Sequence, residues 1–125
     1  MSQNFRIVKE FIESKHLELM NEKIREALHD KRIIKLSSDE VVIWVFYGKE
    51  RDYLIIPKIY CSCMDFELNV IFRGVKKSCY HIITQHIAES NGFFRDLRVS
   101  SELINDILVE ILYIGRSPTL RKILT

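Results

Sequence analysis

The run Tyr60-Cys61-Ser62-Cys63, followed after fifteen residues by Cys79-Tyr80-His81, decides how this chain is read. The pattern is C-x-C-x15-C-x-H, and it uses all three cysteines of the protein. Three thiols and one imidazole fill the tetrahedral shell of a zinc ion, with no position left for water or substrate. The spacing therefore predicts one structural Zn2+ held by Cys61, Cys63, Cys79 and His81, and it points away from metal catalysis. No thiol is left over for a disulfide. The local context agrees. A strand-like run, Tyr53–Tyr60, leads into the first pair, and a helix-like run over 79–90 follows the second, with Ser78 as N-cap and Gly92 just beyond its end. Strand, knuckle and helix together bring two ligand pairs to one ion.

These residues carry a resemblance. C-x-C…C-x-H is similar to the SWIM zinc finger, and the sequence Cys61-Ser62-Cys63-Met64-Asp65-Phe66-Glu67-Leu68-Asn69-Val70 resembles the SWIM subunit of Shu-type recombination complexes. Val99-Ser100 and Asp106-Ile107-Leu108 resemble a later segment of that group, so the likeness spans roughly residues 30–110. It departs at Tyr80 and Thr84, where the family often has a basic residue and an alanine. The resemblance implies an accessory factor in homologous recombination and DNA repair. Such a factor binds a RecA-family recombinase paralogue and supports filament assembly on single-stranded DNA, which it reaches through the complex.

Composition sets the frame. With 125 residues, 47% of them hydrophobic, the chain is one domain with a substantial core, the finger occupying about 53–91. No stretch has the length and apolarity of a signal peptide or a membrane span, and reduced thiols suit an intracellular compartment, cytoplasmic and nucleoid-associated or nuclear. The formal net charge is +2. A zinc ion against three thiolates lowers it to about +1. Global electrostatics therefore give no argument for autonomous DNA binding, although a local patch is compatible with them.

The fold class expected is α+β. Residues 4–29 read as N-terminal helices broken near Lys15-His16, with Phe5, Val8, Phe11 and Ile12, then Leu17, Met20, Ile24 and Leu28, at helical spacing. A short antiparallel meander follows: Arg32–Leu36, Val41–Tyr47 and Tyr53–Tyr60, with turns at 37–39 and 48–52. Asp65–Phe72 reads as a short helix that packs Phe66 and Val70 under the metal. In the helix 79–90, His86 falls five residues after His81, roughly 140° around. It is expected as a core or interface histidine rather than a ligand, and His16 and His29 as exposed.

The helix Ser101–Ile114 is apolar. Leu103, Ile104, Ile107, Leu108, Ile111 and Leu112 form a stripe, and Val109 and Tyr113 lie in the otherwise polar arc. A helix hydrophobic nearly all round is buried at the centre of the fold or offers a face to a partner. In the tail, Ser117-Pro118 starts a short amphipathic helix that either frays or docks. The partner-binding residues expected are Ile107, Val109, Ile111, Tyr113, Leu120 and Ile123. Arg73, Lys76 and Lys77 are the candidate nucleic-acid patch, with ordinary solvated charge as the competing reading. An enzyme is the weakest reading, because no phosphate loop, nucleophile elbow or catalytic carboxylate pair is present.

Overall fold

The computed structural model describes residues 21–125. Helix α1 is seen over 21–29, and the remainder of the expected N-terminal helices, with His16, lies outside the described residues. Then come β1 (Ile33–Ser37), β2 (Val42–Tyr47), β3 (Asp52–Ile56), β4 (Tyr60–Cys61), a π-helical segment (Phe66–Phe72), α2 (Tyr80–Asn91), β5 (Arg95–Arg98), α3 (Ser101–Ile114) and α4 (Pro118–Leu124). The five strands form one mixed sheet in the order β4-β3-β2-β1-β5. The meander β1 to β4 is antiparallel, as expected, while β5 returns parallel to β1.

Two local readings are corrected. Tyr53–Tyr60 is not one strand: Ile56-Pro57-Lys58-Ile59 is a turn closed by the Ile59 N–H to the Ile56 carbonyl at 2.9 Å. Proline presets the first corner, and Lys58 takes the left-handed conformation at φ 67° that the second requires. Strand β5 has no counterpart in the sequence expectation, since Arg95-Asp96-Leu97-Arg98 is short and charged. It forms because register pairs Leu97 with the buried Leu36 and packs it against the core, while the charges stay at the sheet edge. Gly48 makes the β2–β3 turn possible, for a Cβ there would stand 2.1 Å from the Arg51 carbonyl oxygen.

Both faces of the sheet are covered, and strand alternation divides the core accordingly. Ile33, Trp44, Phe46 and Ile55 point to one face, where they meet Ala27 of α1, Phe66 of the π segment and Ile82 and Ala88 of α2. Ile34, Leu36 and Val45 point to the other, against Ile104, Ile107 and Ile111 of α3 and Leu120 of α4. Burying each such isoleucine or leucine contributes about 1.5–3 kcal/mol before entropy is counted.

Helix α3 has the expected boundaries. Ser100 caps it by accepting the Leu103 N–H at 3.1 Å, and Gly115 ends it at φ 81°. Its terminal turn feeds α4, which is docked rather than frayed. Ser117 accepts the Leu120 N–H, and Glu110 of α3 accepts from the Ser117 hydroxyl and from both the N–H and the hydroxyl of Thr119. Burial works against ionisation of Glu110, yet these hydrogen bonds outweigh it and hold the carboxyl below its ordinary range. Asp52, expected in a turn, is instead the buried first residue of β3. It accepts from Arg121 at 2.8 and 3.1 Å and from the Ser117 N–H. The Arg121 guanidinium also lies 4.7 Å from the Tyr47 ring.

Candidate metal centre

Each half of the cluster is delivered by a different element. Cys61 ends β4, paired with Ile55 of β3, and Cys63 sits two residues on, at the mouth of the π segment. Alternation along an extended chain turns both thiols toward the same side. Cys79 is the N-cap of α2 in extended conformation, and His81 lies in the first turn. Ser78, expected as the cap, is displaced by one position. All four residues are buried, and their donor atoms lie within 4.8 Å of one another. The sequence pattern thus marks a spatial cluster able to hold a metal ion.

Two observations test whether the cluster suits a cation. His81 Nδ1 is buried and makes no hydrogen bond among the described residues. An orphaned buried nitrogen is costly, and a bound metal would satisfy it. Negative charge is concentrated on one of the three sulfurs. Hydrogen bonds from Cys61 and then Cys79 hold the Cys63 thiol far below its ordinary range against the effect of burial, helped by His81 and by the Phe66 N–H, which donates at 3.3 Å. Cys61 is pushed far up by its hydrogen bonds to Cys63 and Cys79 and by burial. Cys79 is pulled down by Cys61 but up by Cys63 and burial, ending at about 11. Three thiols this close cannot all ionise alone; a cation lets them. The donor set fits.

A cage of aromatic rings surrounds the imidazole, and sequence reasoning did not find it. Ring centroids of Tyr80, Phe46 and Tyr53 lie 4.1, 4.5 and 4.6 Å from that of His81. The signal was available: Phe46 pairs with Tyr53 across β2 and β3, so both rings share the face that carries Cys61. Tyr60 meets Phe66 edge-on at 5.5 Å and closes the knuckle from below. Phe66 is buried and Val70 partly buried there, as expected, although the segment between them winds as a π-helix.

Other expected sites divide. His86 is exposed, not a core residue, because it lies across α2 from the buried His81, Thr84 and Gln85. His29 is exposed as expected. Of the basic trio, Lys76 is bound to Asp65 at 3.0 Å, whereas Arg73 and Lys77 are exposed. Of the expected partner residues, Ile107, Ile111 and Leu120 are core, sealed against the sheet. Val109, Tyr113 and Ile123 are exposed, as are Leu112 on the outer side of α3 and Ile114 at its C-terminal end. No described helix is long and apolar enough to cross a membrane. No family model matches the chain, and no curated protein or solved structure matches it significantly.

Proposed function

We propose that the chain is a zinc-stabilised adapter in homologous recombination and DNA repair, which binds a RecA-family recombinase paralogue and supports filament assembly on single-stranded DNA. The observation that carries the zinc half is the closed cluster of Cys61, Cys63, Cys79 and His81, buried on every ligand. Thiolate and imidazole donors in a set of four suit Zn2+. Bound there, zinc ties the β4 knuckle to the start of α2 and contributes folding energy. With all four positions filled by the chain, the centre is structural and not catalytic.

The adapter half rests on the likeness to the SWIM finger of Shu-type complexes at these same residues, and on apolar surface beyond the needs of the core. Tyr113 is 86% exposed and Ile114 65%, at the end of a helix whose inner side is sealed. Large exposed apolar residues in one place suit a protein partner. In this reading Val109, Leu112 and Tyr113 form the face toward the paralogue, with Ile114 extending it at the end of the helix.

The experiment is a native pull-down from nuclease-treated lysate of the source cells, with tagged parent and a Tyr113→Ser/Ile114→Ser variant. Nuclease-resistant recovery of a RecA-family ATPase with the parent and its loss with the variant is the expected result. Recovery of no such ATPase with the parent refutes the adapter reading while leaving the metal centre intact.

A further inference from the structure

A cavity of about 580 Å3 opens between α1, the β2–β3 turn and the start of α2. Among the described residues, Lys23, Lys49 and Arg51 line it against Glu26 and Glu50, a formal excess of one positive charge, while the lining Arg32 is paired with Asp30 at 3.7 Å. The charge is also available. Lys49 meets Glu26 at 3.4 Å, but the two side chains are 75% and 58% exposed, and a phosphate displaces such a surface pair at little cost. Arg51 is exposed and in no ion pair among the described residues; its guanidinium rests beside Gly115 at the end of α3, from where it turns to the mouth of the cavity on binding.

The floor is aromatic. Tyr53 and Tyr80 line the same cavity, both only partly buried, and Lys23 stands 5.5 Å from the Tyr80 ring. Cations at a mouth with aromatic rings beneath match what single strands need: a hold on the backbone and a surface for a base. A duplex keeps its base faces stacked away and could not use recessed rings. The volume lies within the range of small-ligand sites, about 300–1,000 Å3, which suits individual nucleotides entering from a strand.

We propose that this groove binds single-stranded nucleic acid, with Lys49 and Arg51 holding phosphates at its mouth and a base lying against Tyr80 and Tyr53. Tyr80 stands between the ligands Cys79 and His81, and its ring packs on the imidazole, so the metal centre fixes the floor of the groove. The site belongs to this chain alone and does not depend on a recombinase paralogue. It is also distinct from the Arg73 and Lys77 surface in the loop after the π segment.

The test is fluorescence anisotropy of the zinc-loaded full chain with labelled oligothymidylate over a salt series. Lys49→Gln/Arg51→Gln is compared with Arg73→Gln/Lys77→Gln, and melting curves verify that each variant is folded. The groove pair is expected to weaken binding at least tenfold at low salt. It should also flatten the log–log salt slope by about 1.4, since each phosphate no longer neutralised takes away about 0.7, while the other pair changes neither. Absence of binding by the parent at the lowest salt overturns the proposal, as does a weakening carried by Arg73 and Lys77 instead. Inorganic polyphosphate competing as well as the oligonucleotide, phosphate for phosphate, overturns the role of the tyrosines. The single variants Lys49→Gln and Arg51→Gln, each expected to give part of the effect, provide the same reading should the double variant fail to fold.

Discussion

His81 concentrates the chemistry of the centre in one side chain. Its ring is buried among Phe46, Tyr53 and Tyr80, its Nδ1 has no hydrogen-bond partner among the described residues, and three sulfurs lie within reach. Left without a metal, that nitrogen costs about 1–3 kcal/mol, and the thiols compete for a single thiolate. Structural zinc is worth about 10–16 kcal/mol in small fingers, comparable with the whole stability of a domain, about 5–15 kcal/mol. His81→Ala should therefore reduce bound zinc well below one per chain and lower the melting temperature by about 10 °C or more. His86→Ala, on the exposed side of the same helix, should change neither. Metal analysis of the purified variants beside thermal melts decides it: one zinc retained by His81→Ala would remove the imidazole from the ligand set.

At the scale of elements, what could be read in the sequence was what is encoded locally. The bounds Ser101–Ile114 of α3, the Ser117-Pro118 start of α4 and the cluster from Cys61 to His81 were legible, because helical periodicity, caps and ligand spacing act over a few residues. What escaped depends on distant partners. Nothing near Asp52 announces that it will be buried, since its counter-ion is Arg121, 69 residues away. The same holds for β5, which among the described residues pairs with β1 alone, and for Ile107, Ile111 and Leu120, where an apolar stripe fits a core and an interface equally. The Asp52–Arg121 pair is what locks α4 across the edge of β3, together with the Tyr47 ring and the Gly48 carbonyl. Asp52 has a fully buried side chain and Arg121 one only 13% exposed, so removing one partner strands a charge. Arg121→Ala should destabilise the fold by about 3–5 kcal/mol. Chemical denaturation measures it, and a destabilisation below about 1 kcal/mol would mean that the pair behaves as a surface ion pair.

The molecule as a whole is one sheet with two cores, and this predicts how far the influence of the metal extends. Consecutive residues of a strand serve opposite faces: Ile33 the metal side and Ile34 the α3 side, Trp44 and Phe46 one and Val45 the other. Neither core can loosen without disordering the strands that support its neighbour, and backbone pairing through β2 joins β1 to β3. Removing zinc with a chelator should therefore expose amides of α3, on the far side of the sheet, along with those of α2. Hydrogen exchange before and after chelation distinguishes the possibilities. Parallel loss of protection in both helices marks a single cooperative unit. If α3 and β1 kept their protection while α2 and the knuckle lost theirs, the centre would be a local clasp, and its removal would leave the α3 face intact for a partner. Shared strands favour the first outcome, because every residue that leaves one core carries its neighbour out of the other.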